Sequence, residues 1–210
     1  FTIAVKEWEW INDSPLRRVL KPKEPRGRVR FLSDDERKTL LVSCKQNKAQ
    51  YLYPLVVLAL STGARRGELL GLTWGDIDLK RKVAILHKTK NEERRALPLA
   101  GHALDCVEKL AEIRRIDTNL LFPDETGKKP VEIRPAWERV LKESKIEDFK
   151  FHDLRHSAAS YLAMSGASLA EIAEVLGHKT LQMVKRYTHI SQQHTAGVVS
   201  RMNNKIFGGG

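Results

Sequence analysis

The sequence predicts an α+β fold, mostly helical, with one small antiparallel β-sheet, and three observations lead there. Apolar residues recur at three- and four-residue steps through most of the 210-residue chain, the spacing of one face of an α-helix. The β-favouring runs are few and short, 83–86 and 96–99, and the charged stretch from His87 to Arg95 between them reads as a hairpin turn. Glycines and N-capping residues fall where the helical stretches stop and start.

Taken in order, Ile3, Val5, Trp8, Trp10 and Ile11 read as the end of a helix that closes at Asn12-Asp13-Ser14-Pro15. Residues 14–30 carry Arg17, Arg18, Lys21, Lys23, Arg26, Arg28 and Arg30 against the single acid Glu24, with three prolines, which is linker composition. Such a basic tether is solvated, and it would also lie well along phosphates. Ser33-Asp34-Asp35-Glu36 is a capping box that opens the globular part. Residues 51–60 are nearly all apolar and predict a buried helix closed by Gly63, after which 66–72 resume helical spacing.

Ile77-Asp78-Leu79 offers a third strand beside the hairpin. Residues 104–113 predict an amphipathic helix, 122–130 a turn-rich loop and 136–141 a short helix. A helix over 154–164 ends at Gly166. Ser168-Leu169-Ala170-Glu171 is a second capping box, for a helix that runs to Leu176 with Gly177 as its cap. Thr180 then caps a last predicted helix carrying Leu181, Val184, Tyr187 and Thr188.

Lys and Arg number 37 against 26 Asp and Glu, a formal charge of +11. That excess favours a polyanionic partner, nucleic acid first, although a solvated basic surface would have the same composition. Cys44 and Cys106 lie in apolar helical patterns without metal-type spacing and are expected as buried free thiols in a reducing compartment. No apolar run approaches the ~20 residues that span a bilayer, and no signal peptide is evident. A cytoplasmic protein without membrane contact is therefore expected. The start at Phe1, in mid-helix, points to a longer parent protein, and Gly208-Gly209-Gly210 reads as unstructured.

Several charged or phenolic residues sit beside these punctuation marks. Arg65 has two readings: a surface arginine paired with Glu68 one turn on, or a guanidinium held at the end of an apolar helix and oriented for a phosphate. Lys90, in the hairpin turn, is by itself a solvated lysine. His152-Asp153-Leu154-Arg155-His156 places His152, Arg155 and His156 on one side of a helix at its N-terminal end, where backbone N–H groups favour anions. The two histidines also have zinc spacing, with Asp153 where a zinc peptidase carries Glu, but Arg155 would set a positive charge beside the cation. His178 follows the Gly177 cap, where a surface histidine facing the last carbonyls is the plain reading. Tyr187 shares the stripe of Leu181 and Val184 and, alone, reads as a core tyrosine.

Together these segments resemble the tyrosine recombinase (phage integrase) family from about residue 30 to residue 190. The resemblance rests on Thr62-Gly63-Ala64-Arg65-Arg66-Gly67-Glu68-Leu69-Leu70, on Leu72-Thr73-Trp74-Gly75-Asp76-Ile77-Asp78, and on Thr89-Lys90-Asn91 with Arg95 and Pro98-Leu99 downstream. In the second half it rests on the 152–156 pentapeptide, Leu176-Gly177-His178 and Arg186-Tyr187-Thr188-His189, in the family's order and at its separations.

The resemblance implies the integrase-type catalytic domain, the fold of DNA breaking-rejoining enzymes, and a 3′-phosphotyrosyl intermediate in the integration or excision of a mobile element. It implies that Arg65 and Arg155 bind the scissile phosphate, that Lys90 and His152 take part in proton transfer, that His178 hydrogen-bonds the phosphate, and that Tyr187 is the nucleophile. Glu68 and His156 resemble supporting residues. No cofactor and no metal is implied.

The implied partners are double-stranded DNA and further copies of the chain, four in the synaptic complex, with a monomer expected without DNA. The place of action would be the nucleoid of a bacterial or phage-infected cell. Residues 1–13 then read as the last helix of an N-terminal core-binding domain, 14–30 as the linker, 31–190 as the catalytic domain, and 191–210 as a tail exchanged between protomers. Without the rest of the N-terminal domain, tight site recognition is not expected of this chain. Two other readings stand beside this one. One is a type IB topoisomerase-like enzyme with the same chemistry; the other is a non-enzymatic regulator using 168–187 as a helix-turn-helix.

Overall fold

The computed structural model describes residues 1–20, 30–87, 94–188 and 202–208. Lys90 lies outside the described residues, as do the middle of the basic linker and most of the C-terminal tail.

Helices α1 to α8, a short helix at 202–207 and one three-stranded sheet are present among the described residues. Helix α1 (Thr2–Lys6) is short and exposed, and a 3-10 turn at Pro15–Arg18 follows it. Helix α2 (Asp34–Gln46) starts at the predicted capping box: Ser33 Oγ accepts from the Glu36 N–H at 3.2 Å, and the Glu36 carboxylate accepts from the Ser33 N–H at 2.8 Å. Arg30 clamps the same carboxylate with both terminal nitrogens, which holds Glu36 at a pKa of about 2.

Helix α3 (Leu52–Thr62) is the centre of the molecule. Leu52, Leu55, Val56, Val57, Leu58 and Ala59 are all buried, as an all-round apolar helix must be, and α3 packs against α2, α5 and α7. Gly63 ends it in the left-handed conformation, φ +61, which a residue with a Cβ adopts only under strain. A Cβ there would also lie 2.3 Å from Leu176 Cδ2. The chain then turns into α4 (Arg66–Leu70) and a 3-10 turn at Trp74–Asp76.

The sheet runs β1 (Ile77–Asp78), β2 (Val83–Leu86), β3 (Arg95–Pro98), antiparallel throughout. The predicted hairpin and the third strand are both there, but β3 begins one residue earlier than expected. Leu86 pairs with Arg95 and Ala84 with Leu97, so alternation sends Arg95 and Leu97 to the inward face. Helices α5 (His102–Glu112) and α6 (Arg134–Glu143) flank the loop at 122–130.

Helix α7 (Asp153–Met164) packs on α3, and α8 (Leu169–Leu176) packs on α7. The start of the globular part is pinned to α7, because the Leu32 N–H donates to Ser157 Oγ at 3.0 Å and the Tyr161 hydroxyl donates to Asp34 Oδ1 at 2.8 Å. The second capping box is present as expected, and Gly177 closes α8 at φ +66. Cys44 and Cys106 are buried free thiols.

The final helix expected from Thr180 is instead two 3-10 turns, Leu181–Met183 and Lys185–Tyr187, and the Thr180 side chain caps neither. Three residues per turn bring Val184 and Tyr187 to the same inward side. Both are essentially fully buried in a small core with Ile172, Ala173 and Leu176, while Leu181 faces solvent. The helix-turn-helix reading thereby loses its second helix. Residues 202–207 form a short exposed helix. Among the described residues no helix is long and apolar enough to cross a membrane.

Candidate active site

Arg155 lies in the first turn of α7 and is 4 % exposed. Burying a guanidinium costs several kcal/mol unless its donors are answered. Nη1 donates to the Gly63 carbonyl at 2.7 Å, one of the orphan carbonyls at the end of α3. The buried Nη2 has no partner among the described residues, so it has hydrogens to offer an incoming acceptor. Burial, with Arg65 and Arg95 nearby, pushes the Arg155 pKa down to about 10, which leaves the group charged at neutral pH.

Arg65 stands at the N-cap of α4. It is paired with Glu68 and it lines a cavity. Its backbone N–H donates to Glu68 Oε2 at 2.9 Å, and Nη1 donates to Oε1 at 2.7 Å. Glu68 is almost buried and also receives Arg95 Nη2 at 3.2 Å. Arg95 Nη1 in turn donates to the Val175 carbonyl at 2.9 Å, near the end of α8. One carboxylate thus fixes two guanidinium groups, and Arg95 joins β3, α4 and α8. The fit around Arg95 needs Gly177, where a Cβ would lie 2.6 Å from Arg95 Nη1.

His178 follows that glycine. Its N–H donates back to the Ala173 carbonyl at 2.8 Å, which closes the end of α8. Burial, with Arg155, Arg65, Arg186 and Arg95 around it, pushes its imidazole down to about 4, so the ring is neutral at pH 7 and has one N–H to donate. His152 is the N-cap residue of α7, and its pKa is also lowered, by burial and by Arg155. Tyr187 is 1 % exposed, and its hydroxyl lies 2.6 Å from His156 Nδ1. Burial raises its pKa; Arg186 and Arg155 oppose that.

A cavity of about 560 Å³ collects these groups: Arg65, His152, Arg155, His156, His178 and Tyr187 line it, with Met183 and Arg186. Of the predicted catalytic residues only Lys90 lies outside the described residues. Glu68 holds the Arg65 guanidinium from behind. His156, expected in support, touches the phenolic hydroxyl directly. With Nδ1 so engaged and the His152 ring edge-on to it at 5.7 Å between centroids, the pair is not arranged as zinc ligands. Among the described residues no three His, Cys, Asp or Glu side chains are grouped to hold a metal.

Two residues near the site entered the sequence reading only as members of family motifs, with no role given to them. Arg95 is the inward-facing charge of a strand, readable only once the register is known. Arg186 is a basic neighbour of Tyr187 without other distinction. The assembled cavity presents fixed cations, neutral imidazole donors and a phenol to a single volume. That set suits a tetrahedral oxyanion under attack by the phenolic oxygen.

The model of the phage integrase family matches residues 30–194. The chain is 32 % identical over 217 residues to the integrase of Salmonella phage P22, covering 98 % of this chain and 54 % of that protein. It is 36 % identical over 191 residues to the shufflon-specific DNA recombinase of Escherichia coli, covering 90 % and 48 %. The chain therefore spans about half the length of these two relatives. Among solved structures, the catalytic domain of bacteriophage HP1 integrase superposes with a TM-score of 0.64 at 26 % identity, covering 82 % of this chain and 95 % of that domain.

Proposed function

The chain belongs to the phage integrase family, and from that membership we propose that it is the catalytic part of a site-specific DNA recombinase. It cleaves and rejoins double-stranded DNA through a 3′-phosphotyrosyl link to Tyr187, in the integration or excision of a mobile element. The observation that carries this reading is that Tyr187 lines the same cavity as Arg65 and Arg155. The named activities of the phage P22 and shufflon relatives support it.

A phenol with a pKa near 10 is ionised about once in a thousand at neutral pH, and burial of Tyr187 makes ionisation harder still. The substrate must therefore be activated and the proton removed during attack. As the phenolic oxygen approaches phosphorus, charge gathers on the nonbridging oxygens. Arg65 and Arg155 are already fixed by Glu68 and by the Gly63 carbonyl, so they receive that charge without reorganising, and this is the largest catalytic contribution. His178 adds a neutral donor. Lys90, by the family resemblance, protonates the leaving 5′ oxygen, and His152 assists proton transfer from the N-terminal end of α7. The phosphotyrosyl ester conserves the energy of the broken diester, so a second strand displaces the tyrosine by the reverse reaction and no ATP is consumed.

The test is Tyr187→Phe on nicked suicide duplexes. The variant is expected to keep its fold and its DNA binding and to form no SDS-resistant protein–DNA adduct. Persistent adduct in that variant would overturn the nucleophile assignment.

A further inference from the structure

We propose that His156, and not His152, takes the phenolic proton of Tyr187 as the new ester forms. This rests on the recombinase reading and adds a catalytic residue to it. The hydroxyl sits 2.6 Å from His156 Nδ1, within the range a general base requires. The His152 ring is edge-on to His156, 5.7 Å between centroids, at the N-terminal end of α7.

His156 is one helical turn further along α7 than His152, on the side that faces the 3-10 turn bearing Tyr187. Burial first, and then His152 and Arg155 on α7 and Arg186 beside the tyrosine, disfavour a proton on the ring of the free protein, with Asp153 opposing. The ring is therefore neutral before DNA binds and has a lone pair to offer. A phosphodiester in the cavity brings negative charge close to the same ring and raises its proton affinity, so acceptor strength increases when substrate is in place.

The step balances simply. The Tyr187 O–H bond breaks and its proton passes to Nδ1, giving an imidazolium. The phenolic oxygen bonds to phosphorus, and the bond to the 5′ oxygen breaks with protonation of that oxygen. In the rejoining step the imidazolium returns the proton to the departing phenolate.

The test compares His156→Gln and His152→Gln by single-turnover cleavage of a suicide duplex, each with tyrosine or the more acidic 3,5-difluorotyrosine at position 187. A phenol that ionises more easily needs a base less. The expected result is a loss on the order of 10²–10⁴ for His156→Gln, with recovery of about tenfold or more by the fluorinated phenol, in proportion to its acidity. The unaltered protein and His152→Gln should gain nothing comparable. A His156→Gln variant that cleaves at the unaltered rate overturns the proposal; so does an equal loss with both phenols, or recovery in His152→Gln instead.

Should His156→Gln not fold, nitrogen NMR of the unaltered chain decides. Nδ1 is expected unprotonated in the free protein and protonated in the trapped adduct, and a protonated Nδ1 before DNA binding counts against the assignment. Absence of adduct in the unaltered protein would instead sink the recombinase reading itself.

Discussion

A buried arginine is expensive, and Arg155 meets only part of the cost within the protein: one nitrogen closes an orphan carbonyl of α3, while the buried Nη2 has no partner among the described residues. Arg65 is arranged differently, its side chain 21 % exposed and held by a nearly buried carboxylate. Removing Arg65 should therefore damage chemistry far more than fold, because Glu68 retains Arg95 and the Arg65 backbone N–H. Arg65→Ala is expected to slow single-turnover cleavage on the order of 10²–10³ with little change in melting temperature. A loss below tenfold would remove Arg65 from the phosphate. At this scale Arg65, His152, Arg155, His178 and Tyr187, which line one cavity, were singled out together by the family resemblance, since local pattern alone left Arg65, His178 and Tyr187 with plain structural readings. The contact of His156 with Tyr187 was not legible. It depends on how the last two turns lie against α7, which no local pattern encodes.

Helix ends were the most readable elements, because Ser33, Ser168, Gly63 and Gly177 act through backbone geometry that is local in sequence. The segment after Thr180 was less readable: three-residue spacing fits an α-helix and a 3-10 turn alike, and burial of Val184 and Tyr187 decided between them. Strand register was likewise hidden, which concealed Arg95 as the tie between β3 and α8.

The start of α2 gives a pH prediction. Glu36 has its folded pKa depressed to about 2 from 4.5, chiefly by the Arg30 hydrogen bond. A depressed carboxylate contributes stability that is complete above its unfolded pKa and lost as pH falls toward the folded one. Urea denaturation should show stability falling between about pH 5 and pH 2, and Glu36→Gln should flatten that fall. An unchanged slope in the variant would mean that the clamp does not form in solution.

Across the whole molecule, the formal charge of +11 explains attraction to a polyanion, yet it does not distinguish an enzyme from any basic surface. The distinction comes from convergence: side chains 122 residues apart in sequence, from Arg65 to Tyr187 (187 minus 65), meet at one cavity. The C-terminal tail, with Val198, Val199, Ile206 and Phe207, is proposed to dock on a neighbouring protomer in a tetrameric synaptic complex. Deleting residues 191–210 should then weaken two-site synapsis at least tenfold more than cleavage of a single duplex. Equal loss of both in a well-folded deletion would argue against exchange. The most direct measurement of the central claim is to incubate the chain with nicked duplexes drawn from either side of its own gene, digest any covalent product, and map the modified peptide by mass spectrometry. A nucleotide remnant joined through its 3′ phosphate to Tyr187 is the expected result; attachment at another residue, or through a 5′ phosphate, would contradict it.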